Sequence, residues 1–407
     1  MNVPAGRRRV VVTGLGAVTA IGVGAPEFGA GLRAGRDAAR PVSSPALKDF
    51  GHANACEVGE FDPSPWLRTV DPATVGRAAG FGLAAARMAT GGVPAEVLAG
   101  RPSVVAMGTA YGEAATDLDR LTEQEIAGGP AGMDPALARR MSAGRLATAV
   151  ARELGLRDTE AVTLPTACAA GNYAIGYGLD AIRTGDADLA VCGGADALCR
   201  KTMAGFTRLG AMDPDRCRPF DSGRAGMLAG EGAAVLLLEE LEHALARGAD
   251  IHAEVLGYGL SCDAEHPVAP AVDGVARGMR RALRDSGVEP STVDLISAHG
   301  TATQANDLAE ARAIHEVFAD GPPRTVGLKS MLGHTLGASA ALGAVGCVLA
   351  IEGGFAPPTI NHRETDPECD LDCVPNAAVE ADLRVVQSNA LAFGGNNAIV
   401  LFGRYPA

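Results

Sequence analysis

The sequence predicts an α/β fold built from two similar halves, and three observations support this prediction. Strand-like and helix-like runs alternate along the 407 residues, which is typical of helices layered on sheets. A hydrophobic content of 47% is ample for a large core, and the 53 glycines suit close packing between layers. A strand, a short turn and a small-residue helix occur at 162–183 and again at 326–351. We therefore expect an internal duplication.

The first predicted strand, 10–13, follows three consecutive arginines, and this combination superficially resembles a secretory signal. Four glycines interrupt the apolar run after it, so we expect a buried strand that ends in a glycine turn. The other predicted strands are short runs rich in β-branched and aliphatic residues. They lie at 104–107, 162–164, 189–193, 234–238, 254–258, 295–298, 325–328, 384–387 and 399–402.

Helices are predicted at 75–88, 145–153, 171–183, 274–285, 307–317 and 336–351. The helices 171–183 and 336–351 carry apolar or small residues nearly all round, so we place them in the centre of the molecule. Residues 112–142 contain a stretch rich in charge, glycine and proline, and we interpret them as a cap insertion. The predicted halves span 1–250 and 251–407, with the insertion in the first.

Composition and charge exclude several classes of function. The net charge of −13 argues against nucleic acid or an anionic membrane as a partner, and no segment qualifies as a transmembrane helix. The nine cysteines are scattered without a CxxC pair, so we predict neither a metal site nor a disulfide framework. Because disulfides persist in oxidising compartments, a reducing cytoplasm is the simplest location.

Cys168 stands where a nucleophile is favoured, in "TAC" between a predicted strand and a central helix. A helix N-terminus carries partial positive charge, which lowers the pKa of a thiol. The strand–turn–helix context also favours a nucleophile. The alternative is an inert buried cysteine, which we expect for Cys192, Cys199 and Cys347. We therefore predict that Cys168 is the most reactive of the nine thiols.

Two histidines are flanked by glycine at the ends of predicted elements. His299 lies in "SAHGTAT" and His334 in "LKSMLGHTLG". The duplication predicts that His334 and Cys168 lie near each other at helix ends. Cys168 and the two histidines therefore form a candidate catalytic constellation. The other six lie in polar stretches and are predicted at the surface: His52, His243, His252, His266, His315 and His362.

With these residues in place, the sequence resembles the β-ketoacyl-[acyl carrier protein] synthases, closest to the type II elongation branch of the thiolase superfamily. The resemblance runs from about Arg8 to Phe402. Its motifs are "TAC", "AHGTAT", "LKSMLGHTLGA" and "FGGNNA", with "CRPFDSGRAGMLAGEGA" and "PPTIN" in addition. It implies a thiolase-like, five-layered αβαβα fold with internal duplication, a homodimer, and chemistry that needs no cofactor.

The resemblance also implies a decarboxylative Claisen condensation through an acyl-Cys168 intermediate. The backbone N–H groups of Cys168 and Phe393 would form the oxyanion hole. His299 and His334 would donate hydrogen bonds to the thioester carbonyl of the second substrate while an enolate develops on it. No step requires either imidazole to lose a proton.

Further roles are implied around this centre. Lys329 would set the electrostatics, with Glu310 as its buried counter-ion. The residues expected to contact substrate are Thr301, Thr303, Phe206, Tyr111, Met227, Leu391 and Phe393. Among them, Thr301 and Thr303 match positions that hydrogen-bond a pantetheine arm.

The sequence departs from the family pattern where substrate would enter and bind. The glycine-rich gate reads "LAFGGNN" rather than "FGFGGTN", and Ala392 has less backbone freedom than glycine. Met227 stands where phenylalanine is common, and Tyr111 replaces a smaller residue of the acyl pocket. Because the catalytic residues are retained, we interpret these changes as an altered substrate. We predict a condensing enzyme of specialised, polyketide-type metabolism acting on an acyl thioester or another small molecule.

The surface that docks an acidic acyl carrier protein is basic in this family. Here the corresponding stretches, "PSPWLRTVD" and "GGPAGMDP", hold one basic residue. We predict a weak docking patch, and a substrate brought by a dedicated carrier or free in solution. Positions that often carry a base are Pro65, Thr69, Ala131 and Gly132, and arginines that could compensate are Arg68, Arg77, Arg139, Arg140 and Arg208.

Other functions stay open at this point. The main alternative is a ketosynthase-fold enzyme that couples carbon atoms on a natural-product intermediate not bound to acyl carrier protein. A housekeeping fatty acid elongation synthase, a cysteine esterase and a non-catalytic chain-length partner are less favoured. Cys168, His299 and His334 are all present, which argues against a non-catalytic subunit. Two histidines and Lys329 suit enolate chemistry better than the single base of an esterase.

Overall fold

A computed structural model describes residues 7–43, 45–48, 50–51, 54–113, 116–142 and 144–405. The strands are β1 Val10–Thr19, β2 Gly22–Val23, β3 Arg40–Pro41, β4 Asn54–Ala55, β5 Ser103–Gly108, β6 Thr159–Leu164, β7 Leu189–Asp196, β8 Gly232–Glu240, β9 Ala253–Cys262, β10 Leu295–Ser297, β11 Arg324–Val326, β12 Phe355–Ala356, β13 Val379–Glu380, β14 Val385–Ala392 and β15 Asn396–Gly403. The helices are α1 Ala25–Arg33, α2 Pro45–Lys48, α3 Arg77–Thr90, α4 Ala95–Ala99, α5 Leu118–Gly128, α6 Pro135–Ala138, α7 Arg145–Leu154, α8 Ala170–Thr184, α9 Arg200–Arg208, α10 Leu241–Ala246, α11 Val272–Ser286, α12 Gln304–Val317, α13 Lys329–Leu332 and α14 Ala338–Gly353.

Each strand and helix predicted from the sequence overlaps an observed element of the same type. The predicted glycine turn after residue 13 is wrong, because β1 continues to Thr19 with a register shift beside Gly14. A Cβ at Gly14 would lie 1.8 Å from the carbonyl oxygen of Ala89 in α3. Glycine is therefore needed here for close packing of a helix on the strand, and not for a turn.

The two halves share one strand topology. Across the large sheet the order is β6-β5-β7-β8-β1 in the first half and β11-β10-β14-β15-β9 in the second. In each half the first two neighbouring pairs are parallel and the next two are antiparallel. β1 and β9 pair through Val11 and Val12 and join the halves. The predicted internal duplication is confirmed.

The helices form three layers around the strands. α8 and α14 contact each other and strands from both halves, so they lie in the middle. α3 and α7 cover the first half, and α11 and α12 cover the second, which gives the predicted αβαβα arrangement. A Cβ at Gly171 would lie 2.4 Å from the backbone nitrogen of Ala341, so the central helices meet closely. None of the described helices is long and apolar enough to cross a membrane.

The segment interpreted as a cap insertion contains α5 and α6 between β5 and α7. Arg140 fastens it, because its guanidinium donates to Asp117 at 3.1 Å and to the carbonyl of Ala73 at 2.5 Å. Arg200 on α9 forms an ion pair with Asp119 at 3.6 Å. Ile126 on α5 is 77% exposed. The described part of this segment lies outside the cavity that holds Cys168.

Candidate active site

Cys168 lies at the junction of β6 and the central helix α8. A 3₁₀ turn, Ala167–Ala169, connects them, and Ala167 has a φ of 50°, which a residue with a side chain adopts uncommonly. This turn directs Cys168 into a cavity of about 240 Å³ between the two halves. His299 and His334 line the same cavity. The three residues of the predicted constellation therefore meet in one site.

The thiol of Cys168 is 6% exposed, and burial raises its pKa to about 12. The positive charge of Lys329 opposes this rise, as do the backbone N–H groups of Cys168 and Phe393. The sequence predicted a lowered pKa from the helix N-terminus, and the direction is the reverse. The loss of hydration destabilises the thiolate more than the N–H groups and the Lys329 ammonium stabilise it.

The nine cysteines are free, and Cys262 is the one that is exposed while the other eight are buried. Exposure alone therefore does not single out Cys168. Cys168 differs from the other cysteines in its neighbours, because it shares its cavity with the imidazoles of His299 and His334 and lies near the ammonium group of Lys329. Its reactivity stays a prediction that depends on substrate rather than on exposure.

The two imidazoles are held as neutral hydrogen-bond donors. Their ring centroids are 5.4 Å apart with an interplanar angle of 82°. The Nδ1 of His334 accepts the backbone N–H of Leu336 at 3.1 Å, and the Nδ1 of His299 lies 3.3 Å from the Nζ of Lys329. A backbone N–H and an ammonium group can both only donate. Nδ1 therefore accepts in both rings, and Nε2 carries the proton. Burial lowers the pKa of both histidines well below the usual value.

Lys329 and Glu310 support His299 from behind the cavity. The ammonium of Lys329 also donates to the carbonyl of His299, and its pKa is lowered by burial. The carboxylate of Glu310 accepts the backbone N–H groups of His299 and Gly300, each at 2.8 Å, and the amide of Asn389 at 3.0 Å. No direct ion pair joins these two described side chains, so the predicted counter-ion acts across the His299 backbone. Its charge partly opposes the lowering of the Lys329 pKa by burial.

Two threonines occupy the polar side of the cavity. The hydroxyl groups of Thr301 and Thr303 are 2.8 Å apart, and both residues line the cavity. Between them, Ala302 has a φ of 64°, and its N–H donates to Asp307 at 3.1 Å. Asp307 also accepts the N–H of Phe220 at 2.9 Å, so a buried carboxylate fixes the strained turn. The threonines thus present fixed hydroxyl groups to whatever enters.

The apolar wall contains four of the predicted substrate residues, Phe206, Met227, Leu391 and Phe393. The rings of Phe206 and Phe393 are 5.5 Å apart, and Phe206 lies 6.3 Å from the ring of His334. Tyr111 does not line the cavity, contrary to expectation. It packs in the same apolar cluster as Phe206, with Lys201 Nζ 4.2 Å from its ring centroid. Phe206 thus contributes to the wall of the cavity, whereas Tyr111 packs outside it.

Three residues of the site were missed from the sequence. His266 was predicted at the surface, but it lines the cavity with its Nδ1 accepting the N–H groups of Val268 and Ala269. Asp196 is buried at the end of β7, where it accepts the N–H groups of Ala110 and Gly337, each at 2.7 Å. A buried acid at a strand end was the available signal for Asp196. Asn389 offered none, because its role depends on contact with Glu310.

Two of the arginines expected to compensate the docking surface are engaged elsewhere. Arg77 forms a 2.6 Å ion pair with Glu231 and lies over the ring of Phe81. Arg140 is bound to Asp117, as described above. Arg68, Arg139 and Arg208 are exposed. The surface predicted to be weakly basic is therefore weaker than the sequence suggested.

Within the described residues, no group of three or more His, Cys, Asp or Glu side chains could hold a metal ion. The functional groups that converge on the cavity are one thiol, two Nε2–H donors and two hydroxyl groups. A thiol can form a thioester, and paired donors can stabilise an oxygen on which negative charge develops. The arrangement is therefore suited to acyl transfer coupled to enolate formation.

Comparison with protein families gives two matches that together span most of the chain. The description "Beta-ketoacyl synthase, N-terminal domain" matches residues 7–244, and "Beta-ketoacyl synthase, C-terminal domain" matches residues 252–363. The 3-oxoacyl-[acyl-carrier-protein] synthase 2 of Synechocystis sp. is 37% identical, covering 98% of this chain and 99% of the relative. Nodulation protein E of Rhizobium sp. strain N33 is 38% identical, covering 97% and 99%.

Solved structures give a similar result. A structure titled "The ishigamide ketosynthase/chain length factor" shares 58% identity and a TM-score of 0.96, covering 98% of this chain and 100% of that one. The chain is also similar to a chain of the complex "AntDE:AntF (apo): type II PKS acyl-carrier protein in complex with its ketosynthase bound to the hexaketide". The identity is 31% and the TM-score is 0.90. The match covers 98% of this chain and 100% of that chain.

Proposed function

We propose, from the premise that the chain belongs to the β-ketoacyl synthase family, that it condenses acyl units in specialised, polyketide-type metabolism. Membership makes it an acyl-transferring condensing enzyme that forms carbon–carbon bonds. The observation that carries the detailed mechanism is the pair of imidazoles whose Nδ1 atoms both accept hydrogen bonds, beside a cysteine in the same cavity.

In the first step, the sulfur of Cys168 attacks the carbonyl of an acyl thioester. The new S–acyl bond forms as the original S–acyl bond breaks, and the displaced thiol takes the proton. The backbone N–H groups of Cys168 and Phe393 are proposed to hold the tetrahedral oxyanion, since both act on the sulfur in the resting site. Lys329 favours the thiolate through its charge.

In the second step, a malonyl-type thioester binds with its thioester carbonyl facing the imidazoles. Its carboxylate leaves as carbon dioxide, and the bonding electrons move into an enolate. The Nε2–H groups of His299 and His334 donate to the enolate oxygen. Their lowered pKa keeps them neutral, so they stabilise charge without needing to gain or lose a proton. Thr301 and Thr303 are proposed to hold the pantetheine arm.

In the last step, the enolate carbon attacks the acyl group on Cys168. A carbon–carbon bond forms, the C–S bond breaks, and the thiolate of Cys168 is restored. Glu310 and Lys329 act as positioning residues here, because they hold the His299 backbone and its Nδ1. The buried turn at Thr301–Thr303, fixed by Asp307, keeps the second substrate aligned.

The specialised role is supported by two kinds of observation. The sequence departs from the family around the gate and the apolar wall, while the catalytic residues are retained. A ketosynthase/chain length factor structure shares 58% identity with the chain. A fatty acid elongation synthase is the alternative that the curated 3-oxoacyl synthase relatives favour. Coupling on an intermediate free of acyl carrier protein remains the further candidate, because the surface that docks a carrier in the family holds few basic residues here.

The proposal is tested by intact-protein mass spectrometry after incubation with acyl thioesters. We expect an acyl adduct on the wild type and on Cys199→Ala, a buried cysteine outside the cavity, and none on Cys168→Ala. Adding a malonyl thioester should then release a 3-oxoacyl product. An adduct that is merely hydrolysed would contradict condensation and favour an esterase. Preferred elongation of saturated chains on a fatty-acid-type carrier would contradict the specialised role.

We also propose that the chain works as a dimer. β6 is the last strand of the large sheet, and in the described residues it pairs with β5 alone. A second copy of the chain is our proposed partner. A chain-length-factor-type subunit is the alternative, supported by two similar structures described as a ketosynthase/chain length factor and as a ketosynthase in complex with its chain length factor. The cytoplasmic location stays part of this proposal, since nine free cysteines suit a reducing compartment.

A further inference from the structure

The outer face of α11 carries four exposed arginines, Arg277, Arg280, Arg281 and Arg284. Spacings of three, four and seven residues place them along one face of the helix. The opposite face is buried against β9 and β15, so the orientation of α11 is fixed by the core. The arginines span about 10 Å along the helix axis, from the rise of 1.5 Å per residue.

This arginine face keeps an excess of positive charge. Arg277, Arg280 and Arg284 line a surface groove of about 330 Å³ together with Asp273 and Glu316. Arg280 forms a 2.7 Å ion pair with Glu316. Arg277 donates instead to a neutral acceptor, the carbonyl of Cys262, at 3.2 Å. Arg281 likewise donates to a carbonyl, that of Leu260, at 2.6 Å.

The arginine face adjoins the mouth of the cavity. His266, Val268, Ala269 and Pro270 line the cavity, and α11 begins two residues later. Arg277 reaches back to Cys262, which is paired in the sheet with Asn396, three residues beyond Phe393. The N–H of Gly394 donates to the carbonyl of Pro267 at 2.9 Å, so the two segments of the mouth are joined. A partner seated on α11 would therefore stand beside the entrance.

We propose that the arginine face of α11 docks an acidic surface of the acyl carrier protein that delivers the thioester to Cys168. This inference rests on the proposed function and names the partner surface for it. The chain as a whole carries a net charge of −13 and would repel an acidic protein, so the encounter needs a local basic field. The arginine face supplies that field next to the entrance, whereas the surface expected from the family is depleted.

The length of the arginine face favours a protein over a single phosphate group. One phosphate can engage two or three arginines at one point, but these side chains form a row along a helix. An acidic helix or loop presents carboxylates over a comparable distance. Such rim contacts act mainly on the association rate and are weakened by salt.

The test uses the double variant Arg277→Glu/Arg284→Glu, whose members form no ion pair with a carboxylate in the described residues. A purified acidic acyl carrier protein bearing an acyl group is one substrate, and the same acyl group on free pantetheine is the other. We expect the KM for the carrier-bound substrate to rise about 10-fold or more, with the KM for the pantetheine thioester unchanged. The matched control is Arg324→Glu/Arg384→Glu, two exposed arginines at the ends of other strands.

An unchanged KM for the carrier-bound substrate, or an equal rise in the control variant, would overturn the assignment. If the charge reversal prevents folding, Arg277→Gln/Arg284→Gln replaces it and the same selective rise is expected. Direct titration of the wild type with the carrier separates this inference from the function. Binding that is lost in the double variant, with no condensation by the wild type, would contradict the proposed function and support the docking surface.

Discussion

At the scale of single residues, the site depends on which nitrogen of each imidazole carries its proton. Leu336 fixes His334, and Lys329 fixes His299. We expect His299→Ala and His334→Ala each to lose decarboxylation of a malonyl thioester by about 100- to 1000-fold, the usual cost of one oxyanion-type donor. The measurement is the rate at which the purified variants release carbon dioxide from a malonyl thioester.

The matched control is His252→Ala, since His252 is only partly buried and its Nδ1 lies 2.6 Å from a carboxylate oxygen of Glu352, outside the cavity. Near-normal decarboxylation by either site variant would rule out paired donation. Loss in the control as well would indicate damage to the whole chain rather than to the site.

A second prediction concerns the thiols and their dependence on pH. Iodoacetamide should label Cys262 first, because it is exposed, and Cys168 only later. Burial raises the pKa of Cys168 to about 12, so its thiolate fraction grows with pH throughout the range from 7 to 9. The labelling rate of Cys168 should therefore climb without a plateau there. Peptide mapping of a time course at several pH values measures it, and a plateau below pH 8 would contradict the buried, raised pKa.

At the scale of elements, the central helices α8 and α14 are held at a short distance by glycine. A Cβ at Gly171 would press on the backbone nitrogen of Ala341 at 2.4 Å. We expect Gly171→Ala to lower the free energy of unfolding by about 1–3 kcal/mol, the usual range for overpacking. Gly92→Ala is the control, because its Cβ would meet nothing within 4 Å. Denaturant unfolding of both variants gives the comparison, and equal midpoints would contradict close packing at Gly171.

The same elements show how far the sequence leads. The all-round small-residue pattern of α8 and α14 predicted their central position, because a helix without a polar face needs burial on every side. The glycines of β1 were misinterpreted, since a sequence does not reveal that α3 lies against them. Tyr111 was placed on the cavity wall for a similar reason. Its place in the apolar cluster outside the cavity depends on packing between α9 and a distant loop.

The different positions of Phe206 and Tyr111 relative to the cavity give a prediction about the length of acyl chain that the site accepts. Phe206 lines the cavity and Tyr111 packs in the same apolar cluster outside it. Phe206→Ala should let longer acyl chains reach Cys168, while Tyr111→Ala alone should leave the accepted length unchanged. The double variant should accept chains longer still. Acylation of each variant with a series of acyl thioesters, followed by mass spectrometry, measures this. A longer limit in Tyr111→Ala alone would mean that Phe206 is not the barrier.

At the scale of the whole molecule, net charge and its distribution carry different information. The value of −13 correctly describes the chain, but it hides a row of four arginines on α11. The spacing of those arginines is visible in the sequence. Their position beside the cavity mouth is not, because it follows from the pairing of Cys262 with Asn396 across the sheet. Charge arguments from composition therefore apply to approach at long range and not to the final contact.

The free edge of the large sheet leads to the last prediction. β6 is six residues long and ends the sheet, and among the described residues its only strand neighbour is β5. Its residues are only partly buried, and Tyr177 of α8 nearby is 36% exposed. An uncovered strand edge of this length favours pairing with another chain. We expect light scattering to show a dimer for the wild type.

Val162→Lys should convert that dimer to a monomer, because Val162 is central in β6 and packs only in part against the core. A charge there would have to be desolvated at the interface. Val379→Lys, on the exposed two-residue strand β13, introduces the same charge away from β6 and should leave the dimer intact. A monomeric wild type that dimerises only with a chain-length-factor-type subunit would replace the second copy as partner. A stable Val162→Lys dimer would exclude β6 as the contact for either partner, because both would use the same edge.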